Sequence, residues 1–173
     1  MSTKKLTVAT SRDAEDYANK AISGSYSDLW SRPGYLVRRL HQIHVGIFAN
    51  EFDDMDLTPI QYAMLSVLSS GKEFDQLTLS TAIGIDRTSG ADVIKRLARR
   101  GLLDRVPSEV DRRAKVIRIT DEGKALVERM HPAMERAQDR FLGPLTERER
   151  KEFFRLLRKL VISNNDASRA PLA

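Results

Sequence analysis

The stretch Ile85-Asp86-Arg87-Thr88-Ser89-Gly90-Ala91-Asp92-Val93-Ile94-Lys95-Arg96-Leu97-Ala98-Arg99-Arg100-Gly101 decides how this chain is read. It predicts one short helix. Val93, Ile94 and Leu97 form an apolar side at helical spacing, while Arg87, Thr88, Ser89, Lys95, Arg96, Arg99 and Arg100 are polar or cationic. Asp86 is placed to cap its start. Gly101 is placed to end it, just after two arginines that suit the negative end of a helix. A small polar tip with a basic flank is what a DNA major groove accepts. A solvated basic face on a core helix is the plainer alternative, and the neighbouring sequence has to decide.

Upstream, Leu77–Gly84 reads as a second short helix ended by glycine, so the two make a helix-turn-helix. Before that, Thr58-Pro59-Ile60-Gln61 gives a strong helix start: a threonine cap, proline at the first position and glutamine three residues after the cap. The helix it opens runs to about Ser69 and is mostly apolar, through Ile60, Ala63, Met64, Leu65, Val67 and Leu68, so these residues are expected to be buried on most sides. Downstream, Leu102–Val106 and Lys115–Ile119 alternate loosely and are rich in branched residues, so each predicts a strand. The charged segment 107–114 joins them into a hairpin. A hairpin directly after a helix-turn-helix is a winged helix.

The outer parts frame this lobe. Asp28 to Phe52 predicts a long helix whose regular part begins near Arg32, because Pro33 is tolerated only at a helix start. Leu36, Leu40, Ile43 and Ile47 fall on one stripe; Val37, His41, His44 and Phe48 fall on the next. So wide an apolar arc needs more than one packing partner. Thr120 opens a helix to about Leu142, with Leu126, Met130, Ala133, Ala137 and Phe141 in phase. Thr146-Glu147-Arg148-Glu149 is a capping box before a last helix marked by Phe153, Leu156, Leu157 and Leu160.

The expected fold is mostly α with a small β-hairpin wing (α+β), the winged helix-turn-helix being inserted between long helices from the N- and C-terminal ends. The expected partition is an N-terminal extension over 1–27 with a short helix at 11–23, outer helices over 28–56 and 120–163, a DNA-binding lobe over 57–119 and a flexible tail over 164–173.

Composition narrows the function. The chain has 173 residues, 41% of them hydrophobic, which is enough for a core. The net charge of +5 favours an anionic partner. Its distribution says more, since Arg96 to Arg105 holds four arginines and Arg112 to Lys115 adds three cations. There are no cysteines, so disulfides, thiolate chemistry and Cys-ligated zinc are excluded. No apolar run approaches a membrane span and no signal-peptide core is present, so a cytoplasmic protein without a membrane partner is expected. A Gly-rich phosphate loop, a Gly-x-Ser-x-Gly elbow and a catalytic histidine spacing are all missing, which argues against an enzyme. No cofactor is expected.

The candidate DNA-binding residues follow from the winged helix. Thr88 and Ser89 sit in the first turn of its second helix, where base edges are reached. Arg87 is long enough for bidentate contact with guanine. Lys95, Arg96 and Arg99 suit phosphates. Asp92 and Lys115 complete the set with the hairpin tip Asp111-Arg112-Arg113. An arginine at such a tip can enter a narrow minor groove, and an acid two residues earlier can orient it. An ordinary charged turn is the alternative.

The array Leu57-Thr58-Pro59, Gln61-Tyr62, Leu65, Asp86-Arg87-Thr88, Arg96-Leu97, Arg100-Gly101-Leu102-Leu103, Asp111-Arg112-Arg113-Ala114, Ile119-Thr120 and Gly123 resembles the MarR family of bacterial transcription regulators. The likeness covers roughly residues 30–162. Its most specific part is Arg-Gly-Leu followed by Asp-Arg-Arg and then Ile-Thr-x-x-Gly. The resemblance implies a homodimer of six-helix winged-helix subunits whose first and last helices pair across a two-fold, which makes 28–56 and 120–163 the dimerisation helices. It also implies that Arg113 enters the minor groove with Asp111 steadying it.

His41 and His44 lie one helical turn apart beside Val37 and Phe48. They read in three ways: as half-buried histidines of a helix interface, as the lining of a small-molecule pocket, or as two ligands of a metal near Glu51, Asp53, Asp54 and Asp56. For the pocket, the candidate residues are Trp30, Arg38, His41, His44 and Tyr62, a cationic and aromatic set suited to an aromatic acid or a related thioester. The expectation is a homodimeric repressor that a small effector releases from a pseudo-palindromic operator. The alternatives are a metal-responsive regulator using His41 and His44, and a ligand-independent architectural DNA-binding protein.

Overall fold

The computed structural model describes residues 16, 19–20, 23, 27–52, 56–108 and 115–172. They are mostly helical, with one two-stranded antiparallel hairpin. Of the helix expected over 11–23, Asp16, Asn19, Lys20 and Ser23 are described, and these are helical and exposed; the remainder lies outside the described residues. By its contacts the chain divides into two units, Met1–Gly46 and Ile47–Ala173.

The first unit holds α1 (Ser27–Trp30) and most of α2 (Pro33–Glu51), which continues into the second. Pro33 occupies the first helical position of α2, where its missing N–H costs nothing. Between the two helices the Ser31 hydroxyl donates to Asp28 O at 2.8 Å. Phe48 is the one residue of α2 that is buried, while Leu36, Val37, Ile43 and Val45 are exposed. Of the wide apolar arc read from the sequence, Leu36, Val37, His41 and Ile43 are thus exposed, Leu40, His44 and Ile47 half-buried and Phe48 buried.

The second unit contains the core. Here α3 (Pro59–Leu68) starts on the capping box expected: Gln61 N donates to the Thr58 hydroxyl at 3.3 Å and Thr58 N to Gln61 Oε1 at 2.9 Å. It buries Gln61, Met64, Leu65 and Leu68 but leaves Ile60 45% exposed, so it is less enclosed than its composition suggests. The helix-turn-helix follows as α4 (Gln76–Ala82) and α5 (Arg87–Arg99). Strands β1 (Leu103–Pro107) and β2 (Lys115–Ile119) pair in register from Leu103 opposite Ile119 to Pro107 opposite Lys115. Phe74 adds a bridge on the other side of β2, where Ile117 N donates to Phe74 O at 2.7 Å.

Long helix α6 (Asp121–Leu142) runs on through Pro132 and buries Leu126, Val127, Met130, Ala133 and Ala137. These residues join Phe48, Met64, Leu65, Leu79, Ile94, Leu97, Leu103 and Ile117 in one cluster. The last helix, α7 (Glu147–Ser163), opens on the expected capping box of Thr146 and Glu149. It buries no residue; Phe154, Leu156, Leu160, Val161 and Ile162 are all exposed. Among the described residues no helix is long and apolar enough to cross a membrane.

Candidate nucleic-acid interface

Helix α5 is held by its ends and its floor. Asp86 caps it, accepting from Thr88 N and Ser89 N at 3.0 Å each and from the Ser89 hydroxyl at 2.6 Å. These bonds, that of the Ser89 hydroxyl first, hold the Asp86 carboxyl below its ordinary value and keep it ionised as the cap. At the other end Gly101 adopts φ +69°, a left-handed conformation that glycine takes without the Cβ penalty. On the floor, Gly90, Ile94 and Leu97 are buried, and Gly90 meets Ser80 of α4. Ser80 in turn is buried and donates its hydroxyl to Gln76 O at 2.7 Å.

The opposite face is open. Arg87, Thr88, Ser89, Asp92, Lys95, Arg96 and Arg99 are exposed. The Ser89 hydroxyl is already donated to Asp86, so towards an outside group it offers only acceptor capacity. Among the described residues Arg87, Lys95, Arg96 and Arg99 have no ion-pair partner, whereas Arg118, Lys124, Arg136, Arg140, Arg150, Lys151 and Arg155 each have one. Cations without partners on one helix face raise the local positive potential and are ready for an external anion.

The wing is anchored at its base. Arg118 of β2 pairs with Glu73, which also accepts from the Ser108 hydroxyl at 3.2 Å. The Arg118 bond is the main reason that the Glu73 carboxyl sits below its ordinary value. Lys115 begins β2 and is exposed. The tip residues Asp111, Arg112 and Arg113 lie outside the described residues. Sequence reasoning passed over Glu73, Gln76 and Arg105. Arg105 reaches from β1 to α4, donating from Nη2 to Gln76 Oε1 at 3.0 Å. Arg105 is exposed although Leu103, two positions before it on the same strand face, is buried, so alternation in β1 gave no signal for it, and neither did a pairing across 29 positions.

The ligand candidates divide between the two units. Trp30, Arg38, His41 and His44 belong to the first and Tyr62 to the second. Within the first, Tyr35, which sequence reasoning missed, links two of them. Trp30 meets it edge-on with ring centroids 5.8 Å apart, and the Arg38 guanidinium lies 5.4 Å above its ring. Arg38 also donates to Gln42 Oε1 at 3.1 Å. His41 is exposed and His44 half-buried. Burial first, and the charge of His41 second, lower the pKa of His44 from its usual 6.5. Tyr62 lies against Phe48 and Phe52, with centroids 6.4 Å and 6.1 Å away. Asp53 and Asp54 of the metal reading lie outside the described residues, and among the described ones no three His, Asp or Glu side chains converge as a metal set would require.

Comparison with known proteins gives the context for this geometry. The family model described as "MarR family" matches residues 55–114. The HTH-type transcriptional repressor NicR of Pseudomonas putida is 31% identical over 140 residues, covering 81% of this chain and 89% of that protein. A solved structure of Bordetella bronchiseptica BpsR, described as showing regulation of its DNA binding by 6-hydroxynicotinic acid, is 35% identical with a TM-score of 0.70, covering 75% of this chain and 92% of that one. The PcaV transcriptional regulator of Streptomyces coelicolor, solved with its natural ligand, is 38% identical with a TM-score of 0.69, covering 77% and 94%.

Proposed function

This chain belongs to the MarR family of transcription regulators, and from that premise we propose that it is a homodimeric repressor released from a pseudo-palindromic operator by a small aromatic acid or a related thioester. As a member of that family it is a DNA-binding regulator and not an enzyme.

The observation that carries the reading is the exposed face of α5, where Thr88 stands with Lys95, Arg96 and Arg99, cations without ion-pair partners among the described residues. Thr88 and Arg87 contact base edges in the major groove, the other cations hold phosphates, and the wing with Arg113 enters the adjacent minor groove. Dimerisation is supported by the uncovered apolar side chains of α2 and α7, among them Val37, Ile43, Leu160 and Ile162. A two-fold pairing of these helices sets the two α5 helices about 34–36 Å apart, the repeat of the major groove.

The effector class is supported by the cation–π and edge contacts around Tyr35, with Arg38 as the carboxylate partner, and by BpsR, whose DNA binding a heteroaromatic acid regulates. The effector acts by binding better to a dimer with altered spacing of its DNA-binding lobes, so its effect is bounded by its differential affinity for the two forms. The protein works where the genome is, in the cytoplasm.

The test is release of a fluorescent duplex carrying the protein's own promoter region. 6-Hydroxynicotinate, related aromatic acids and their thioesters are added in turn. At least one is expected to release the duplex, and Arg38→Gln to blunt that response while leaving affinity for DNA intact. If none acts, while zinc or a chelator does, a metal response through His41 and His44 replaces this reading.

A further inference from the structure

Beside the exposed face of α5 runs an open groove of about 700 Å³, bounded by α5, the first residue of α4 and strand β1. Its cations are Lys95 and Arg99 from α5 and Arg105 from β1. Ala91 and Ala98 contribute only methyl groups, so no long side chain from those positions fills it. We propose that this groove seats the phosphate backbone of the operator strand as it passes from the major groove at α5 to the minor groove at the wing, with Arg105 as a positioning contact fixed by Gln76. The inference rests on the DNA-binding reading above and deepens it.

Three observations support the assignment. The first is charge. Three cations face one acid, Asp92, and none of the three has an ion-pair partner among the described residues. The second is how Arg105 is held. Its Nη2 donates to the neutral amide oxygen of Gln76 at 3.0 Å, which fixes the guanidinium without neutralising it. A guanidinium carries five N–H donors in a rigid fork, so donors remain for phosphate oxygens. An acid at position 76 would have formed an internal salt bridge instead.

The third observation is place. The groove separates α5 from the strand that leads into the wing. A duplex read by α5 in one groove and by the wing in the next has a sugar–phosphate strand between them, and the walls here supply what a phosphate needs. Arg105 thereby reports backbone position and no base identity. Asp92, which also lines the groove, repels that strand and weakens binding of any sequence.

The experiment is a salt titration by fluorescence anisotropy, using the full chain on two duplexes of equal length, one its own promoter operator and one of unrelated sequence. For Arg105→Gln, affinity for both should fall by a similar factor, and the slope of log K against log salt should decrease by about one. Arg105→Lys keeps the charge but not the fork, so its slope should match the parent protein while its affinity falls. Gln76→Ala should also weaken binding at unchanged slope, because it frees the guanidinium without removing charge. Asp92→Asn should tighten binding to both duplexes.

Circular dichroism confirms that each variant is folded before its affinity is read. If the parent protein binds with a salt slope that Arg105→Gln leaves unchanged, the groove assignment is wrong and the DNA-binding reading stands. An effect confined to the operator overturns the assignment too, since Arg105 would then read sequence. A parent protein that binds neither duplex overturns both readings.

Discussion

Gly90 of α5 lies so close to Ser80 of α4 that a Cβ added to it would stand 2.8 Å from Ser80 Cβ and overlap Ser80 Oγ. Rotating the hydroxyl cannot relieve this, because the Ser80 Cβ is itself too near and the residue is buried. Alanine is the better helix former by about 1 kcal/mol, but overpacking a filled interior costs about 1–3 kcal/mol. Gly90→Ala is therefore expected to destabilise the protein in urea unfolding, and Ser80→Gly in the same chain to recover part of the loss. An unchanged midpoint would mean that α4 and α5 are not packed this closely.

Glu73 ties the wing to the loop before α4 through Arg118 and Ser108. Its carboxyl is held below the ordinary value, so this anchoring is fully present above the unfolded-state value and is lost as pH falls through the folded one. Protection from hydrogen exchange at Ile117 N, which donates to Phe74 O, should thus hold from neutrality down through the usual glutamate range and drop only below it. Glu73→Gln should speed the exchange at neutral pH, with Ile94 unaffected. Equal rates in the two proteins would show that the ion pair does not hold the wing base.

His44 is predicted to titrate below 6.5 in an NMR pH series. Its lowered value means that the folded protein resists protonation, so any stability linked to this group is full above the unfolded value and declines as pH falls below it. His41→Gln should move the midpoint upward but not all the way, since burial is the larger cause and the charge of His41 the smaller. A midpoint at or above 6.5 in the parent protein would contradict the burial seen here.

The apolar face of α7 gives a fourth expectation. Leu156 and Leu160 are 44% and 59% exposed within one chain, so aspartate at both should cost the subunit little stability. The same change should halve the mass measured by light scattering and weaken operator binding by at least ten-fold, the loss of roughly 1.4 kcal/mol or more. A variant that keeps the parent's mass would remove α7 from the interface.

Much of this architecture was legible because its signals are local. Thr58 with Gln61, Asp86 with Ser89, and Thr146 with Glu149 each act within three residues, and their spacing shows in the sequence. What was not legible depends on distant partners. Gly90 reads only as a poor helix former until Ser80 is set against it. Glu73 and Arg118 are 45 positions apart, and Arg105 and Gln76 are 29. Tyr35 was passed over although Arg38 lies one helical turn from it, a spacing that the sequence does show. Ile60 was expected inside and lies partly outside, because composition alone does not say which face of a short apolar helix meets the core.

In the proposed mode of binding, two copies of α5 read one operator together, and selection of bound duplexes from a random pool by the protein tests this. The enriched sequence should be a short inverted repeat with half-sites centred about 10–10.5 base pairs apart. A pool that shows no enrichment, or a consensus without two-fold symmetry, would mean that the two α5 helices do not act as a symmetric pair.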